Sequence, residues 1–120
     1  MSKNTLVLGA SDNSSRYSYL AVHKLRSKGH SVKGIGSHKG TVADVEIETE
    51  KLPHKEIDTV TLYINPTHQQ EYYDYILSLK PKRIIFNPGT ENPELEKLAQ
   101  NSNIETVEAC TLVLLSTGQY

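Results

Sequence analysis

The stretch LVLGASDNSSRYSY, residues 6–19, decides the fold. An apolar run, TLVL at 5–8, meets Gly9 and then a turn rich in Ser and Asn. Beyond it Ser18, Ala21, Val22, Leu25 and Gly29 fall at i, i+3, i+4, i+7 and i+11, the stripe of an amphipathic helix over 16–28. Gly29 is its stop. Strand, glycine turn and helix in that order open a dinucleotide-binding unit. The G-x-G-x-x-G of such units is reduced here to Gly9, followed by Ala10 and Ser11.

The alternation continues outward from this stretch. SVKGI (31–35) predicts a second strand ending at Gly36, and DTVTLYI (58–64) another, closed by Asn65-Pro66. Thr67 and Gln70 suit a capping box for a helix through Leu79 that buries Tyr72, Ile76 and Leu79. RIIF (83–86) is a strand cut by Asn87-Pro88-Gly89. Asn92 as N-cap and Pro93 at the first helical position start a helix with Leu95, Leu98 and Ala99 inward. A short strand near 104–107 and a closing helix in ACTLVLLS complete the chain. Residues 40–57, broken by Pro53, suggest a shortened crossover with a small edge strand at 45–47. The expectation is an α/β, Rossmann-like, doubly wound and mostly parallel sheet of about five strands, one domain over residues 1–120.

Composition narrows the function. With 120 residues, 13 basic and 14 acidic side chains and a net charge of −1, the chain has no basic stripe for nucleic acid. No apolar run approaches the ~20 residues of a membrane span. One cysteine, Cys110, excludes an internal disulfide framework and suits a reducing cytoplasm.

In open parallel sheets, ligands bind at the carboxyl ends of the strands, near the point where strand order reverses. The strand-end segments are Gly9-Ala10-Ser11, Gly36-Ser37-His38-Lys39, Asn65-Pro66, Asn87-Pro88-Gly89 and Glu108-Ala109-Cys110. The first offers a tight turn, Ser hydroxyls, amides of residues 9–11 and a helix N-terminus for an anion, with Arg16 beside it. An NAD site would carry an acid after the second strand. Ser37, His38 and Lys39 stand there instead, a polar and partly cationic set that suits a ribose phosphate, as in NADP or the 3′-phospho-ADP end of coenzyme A. A plain strand-to-helix turn and an ordinary polar loop would use the same residues.

The chain also resembles a known family over roughly residues 4–112: the small stand-alone CoA-binding proteins, similar to the CoA-binding domain of succinyl-CoA ligase alpha subunits. The carriers are VLGASDNSSRYSY, Gly29-His30, GSHKG, YINPTHQ, IIFNPGTEN and Glu108-Ala109-Cys110. The resemblance implies Gly9, Ala10, Ser11, Arg16 and Ser18 at the pyrophosphate. It implies Gly36, Ser37, His38 and Lys39 near the adenosine phosphate. Asn65, Pro66, Asn87, Pro88 and Gly89 would then lie along the pantetheine, with Cys110 at its far end. The chain departs from the family pattern at Gly36-Ser37, where an Asn-Pro pair is usual.

The expected function is binding of CoA or an acyl-CoA without catalysis, in the cytoplasm, with no metal, nucleic acid or membrane as partner. A ligase of the succinyl-CoA type needs a phosphorylated His and a nucleotide-grasping partner, and neither is recognisable. Two alternatives stand beside this reading. An NADP-dependent reductase would need a Ser-Tyr-Lys set, and Tyr63 and Lys80 lack the helical spacing for it. A degenerate domain could act through protein contacts alone, as a regulator or alongside a partner enzyme. His68, at a helix start near the rim, is placed to touch a ligand but has no partner for general-base work. Cys110 is expected as a small residue packed at a strand-to-helix junction. Tyr72 and Tyr73 share the buried stripe of their helix, which leaves Tyr75 exposed and available to a homodimer interface.

Overall fold

The computed structural model describes residues 2–120. The strands are β1 (Thr5–Leu8), β2 (Val32–Ile35), β3 (Gly40–Val42), β4 (Val45–Glu48), β5 (Thr59–Leu62), β6 (Arg83–Phe86) and β7 (Glu105–Glu108). They form one sheet in the order β3-β4-β2-β1-β5-β6-β7. Every pairing is parallel except β3 with β4. With β3 set aside, the order is that of the doubly wound dinucleotide-binding sheet, reversing between β1 and β5.

The sheet has seven strands rather than five. The additional pair is a hairpin at the edge, its second strand the small edge strand expected at 45–47, in which Val42 meets Val45 across Ala43 and Asp44. Ala43 takes φ of 54°, the left-handed conformation a tight turn demands. Val42, Val45 and Ile47 point inward, while Thr41 and Glu46 face solvent. The exposed Asp44 is held by Arg26, whose Nε and Nη2 both donate to the carboxylate at 2.8 Å.

Alternation along each central strand sends neighbouring side chains to opposite faces. On one face Val7, Val32, Ile47 and Ile85 pack with Val22 and Leu25 of α1 (Tyr17–Ser27) and Leu115 of α5 (Thr111–Ser116). On the other, Leu6, Leu8, Val60, Leu62, Ile84 and Phe86 pack with Ile76 of α3 (Tyr73–Ser78) and with Leu95 and Ala99 of α4 (Pro93–Asn101). β1 and β5 are buried at every position, as strands covered on both faces must be. No helix is long and apolar enough to cross a membrane among the described residues.

The segment after β5 departs from a single helix. It divides into α2 (Pro66–Gln69), a 3-10 turn (Gln70–Tyr72) and α3. Asn65, not Thr67, is the N-cap, its side chain accepting from the His68 amide at 3.0 Å. A 3-10 turn advances three residues per turn rather than 3.6, so the phase of the stripe shifts. Gln69, Tyr75 and Ile76 are therefore buried, and Tyr72 and Tyr73 lie half-buried at the margin. Tyr75 donates its hydroxyl to the Leu52 carbonyl and anchors the crossover loop, so it offers no surface for dimerisation. In α4, Leu98 is 36% exposed on the flank of the helix, not inward.

Candidate functional site at the carboxyl rim

All five predicted strand-end segments lie at the carboxyl ends of parallel strands, β1, β2, β5, β6 and β7. Gly9 has φ of +97°, and a Cβ there would come within 2.7 Å of Ile64 Cγ2 and 2.8 Å of the Tyr63 carbonyl carbon. The first turn is thus pressed against the end of β5. On its other side a Cβ at Gly36 would meet the Ala10 carbonyl oxygen at 2.1 Å. A Cβ at Gly40 would reach Asp12 Oδ2 at 2.5 Å. The loops after β1 and β2 are therefore in direct contact.

That contact corrects one expectation. Both the Gly9 and Ala10 amides donate to the Ile35 carbonyl, at 2.8 and 2.9 Å, so neither is free for a ligand anion. The Ser11 amide is not engaged in this way. The rest of the turn braces itself: Asn13 N donates to Ser11 Oγ at 3.1 Å, and Ser15 gives its amide and hydroxyl to Asn13 Oδ1. Arg16 is the N-cap of α1 in extended conformation, with no side-chain cap bond and no acid in the first turn. An uncapped helix start keeps amide donors available to an anion. The Arg16 side chain is exposed beside it, whereas Ser18 is 3% exposed and belongs to the inward stripe.

Ser37, His38 and Lys39 are exposed on the adjoining loop. Arg16, His38 and Lys39 make no ion pair among the described residues.

The other half of the rim is built differently. Asn65 is occupied as the α2 cap. Asn87, 2% exposed, donates from Nδ2 to Thr61 Oγ1 at 2.7 Å and to the Leu62 carbonyl at 2.8 Å. Its Oδ1 accepts from the Thr111 amide at 2.8 Å. The Asn87 side chain thus joins the ends of β5 and β6 to the start of α5, which leaves it no donor for a ligand. Pro88 and Gly89 are exposed, and Pro66 is half-buried. Cys110, a free thiol and half-buried, is the α5 N-cap.

Tyr63 is a rim residue that strand-end spacing alone did not single out. It follows β5, its amide donating to the Leu8 carbonyl across the switch point at 2.8 Å. Its buried hydroxyl forms no hydrogen bond; Thr111 and Thr61 act on it only at longer range, and Cys110 lies near. Burial raises its pKa well above the ordinary tyrosine value, so the group stays a neutral phenol. Its signal in sequence was an aromatic ring continuing the alternation one step past the strand. A second depression, along the side of β2 and β4, is bordered by Lys33, Glu46, Glu48 and His54. The mixed signs there favour no single ligand charge.

The model of the CoA binding domain family matches residues 3–116. The crystal structure of an uncharacterized protein is 52% identical, with a TM-score of 0.97 over 100% of this chain and 99% of that one. A hypothetical protein from Pyrococcus horikoshii OT3 shares the fold at 22% identity and a TM-score of 0.86, covering 97% of this chain and 83% of its own. So does cell-free ID.343 from Thermus thermophilus, at 23% identity and 0.86, covering 99% and 91%. No curated protein matches the sequence. With the match extending over nearly its whole length, the chain belongs to the CoA-binding domain family.

Proposed function

We propose that this chain, as one CoA-binding domain over residues 1–120, holds coenzyme A or an acyl-CoA along the carboxyl rim without turning it over. The observation that carries this reading is the packing of the loop after β1 on the loop after β2 through Gly36 and Gly40. It sets the turn that leads into α1, through Ala10 and Asp12, against the loop that carries Lys39. Ser11, Arg16 and the first amides of α1 take the pyrophosphate, while Ser37, His38 and Lys39 take the 3′-phosphate. Pro66, Pro88 and Gly89 border the pantetheine, which ends near Cys110. Gly9, Ala10, Gly36, Asn65 and Asn87 shape this path rather than donate to the ligand, and Ser18 supports the helix from below.

The test is a thermal-shift titration with CoA, dephospho-CoA, NADP and NAD. A ligand at ~100 times its Kd adds roughly 2.7 kcal/mol, a rise in Tm on the order of 10 °C for a domain of this size. CoA is expected to exceed dephospho-CoA, with little effect from NAD. A larger shift with NADP than with CoA would instead favour the reductase, since the cationic loop suits either phosphate. No shift with any of the four would leave a protein-contact module in the cytoplasm as the surviving reading.

A further inference from the structure

We infer that Gln69 is a positioning residue for the pantetheine arm of the ligand, an assignment that rests on the CoA reading above. Gln69 closes α2 and is fully buried, at 0% exposure. A glutamine in that setting is destabilising unless its amide is satisfied. Its Nε2 uses both protons, donating to the Ile64 carbonyl at 2.9 Å and to the Thr90 carbonyl at 2.8 Å. Its Oε1 accepts from Asn92 Nδ2 at 2.9 Å.

The partners explain the role. Ile64 immediately precedes Asn65-Pro66, and Thr90 immediately follows Asn87-Pro88-Gly89. One amide therefore holds, from beneath, the two turns that border the proposed pantetheine path, and fixes their separation. Asn92 extends the clamp, since its Oδ1 caps α4 at the Glu94 and Leu95 amides and its Nδ2 also reaches the Tyr73 hydroxyl at 2.8 Å. Ile64 is in turn the side chain that meets the Gly9 turn, so the spacing set by Gln69 is referred to the phosphate end as well. Gln69 touches no ligand. It acts through the backbone of two loops.

The experiment compares CoA with 3′-phosphoadenosine 5′-diphosphate, which carries the adenosine and all three phosphates but no pantetheine. Affinities for both are measured by calorimetry on the wild type, Gln69→Glu and Asn92→Asp, below the unfolding temperature of each. Burial keeps a glutamic acid at 69 protonated, so it donates one bond where the amide gives two. Gln69→Glu is expected to lose about tenfold in CoA affinity, with affinity for the pantetheine-free ligand within about twofold of wild type. Asn92→Asp retains the helix cap, loses the Nδ2 bonds to Gln69 and Tyr73 and sets a carboxylate oxygen against Gln69 Oε1, so it is expected to show a loss in the same direction. It carries the test if Gln69→Glu does not fold. Unchanged CoA affinity in the folded variants overturns the assignment, as does an equal loss for both ligands. A wild type that binds neither ligand overturns the CoA reading, and this assignment with it.

Discussion

The two ends of the sheet use polar side chains in opposite ways. At the amino end, Thr5, Thr59 and Arg83 lie side by side in register across β1, β5 and β6. Tyr120, 9% exposed, closes over them. Its hydroxyl pairs with Thr5 Oγ1 at 2.6 Å, Lys3 Nζ donates to its backbone oxygen at 2.6 Å, and Arg83 lies 4.6 Å from its ring centre. The His30 ring packs edge-on at 4.9 Å and accepts from the Lys3 amide at 2.9 Å. At the carboxyl rim, Arg16, His38 and Lys39 are exposed and have no such partners among the described residues. The amino end ties Lys3 and Arg83 into the fold, whereas Arg16 and Lys39 at the rim stand exposed where the proposed ligand would meet them.

The comparison breaks most visibly at Tyr120. Tyr120→Ala removes a buried ring and is expected to destabilise the protein by about 3–5 kcal/mol, read from denaturant unfolding. CoA affinity in the remaining folded protein should be unchanged. A loss of affinity without a loss of stability would reverse the roles assigned to the two ends. Gly36→Ala is the exception at the rim, because its new methyl would meet a backbone carbonyl rather than a flexible side chain. Its expected cost is about 3 kcal/mol, the upper part of the usual overpacking range, with CoA binding lost as the two loops separate. Wild-type stability in this variant would mean that the loops part easily and that their contact organises nothing.

Lys39→Ala sharpens the comparison from the other side. An exposed lysine without a partner contributes little to the fold, so Tm should not move. CoA affinity should fall roughly tenfold, the equivalent of about 1.4 kcal/mol, while dephospho-CoA is held as before. Equal losses for both ligands would remove Lys39 from the 3′-phosphate.

Which of these residues could be recognised in sequence follows from the range of their interactions. The parallel strands at 5–8 and 83–86, the α1 stripe and the Asn92-Pro93 helix start depend on neighbours within a few residues, and the structure has them as expected. Of the edge hairpin, the second strand was expected at 45–47, while the first, Gly40–Val42, has three residues with one inward side chain and does not stand out against a polar loop. The 3-10 turn at 70–72 moved Tyr75 inward because the phase of a stripe assumes one unbroken helix. The rim segments were legible as turns, from Gly and Asn-Pro. The employment of Asn87 was not, since its partners Thr61, Leu62 and Thr111 lie 26, 25 and 24 residues away. Gln69 was hidden for the same reason, with Thr90 and Asn92 reached only across the fold.

The smallest expected effect is a pH dependence confined to the amino end. Burial lowers the pKa of His30, and the positive charges of Lys3 and Arg83 lower it further, against a smaller opposing influence from Asp58. The folded state therefore prefers neutral imidazole, whose Nδ1 is the acceptor for the Lys3 amide. A histidine depressed on folding contributes stability above its unfolded pKa of about 6.5, and that contribution is lost as pH falls from there through the folded pKa. His54, depressed by its own burial and by Lys33, acts in the same direction. Thermal unfolding between pH 7.5 and pH 5 should thus show Tm falling with acid. His30→Asn keeps an acceptor for Lys3 but cannot titrate, so its profile should be flatter, with the remaining slope due in part to His54. CoA affinity, governed at the opposite end of the sheet, should respond to pH equally in both proteins. If the two Tm profiles run parallel, His30 is not the titrating group. If the CoA profiles diverge instead, the amino end communicates with the rim and the two ends are not independent.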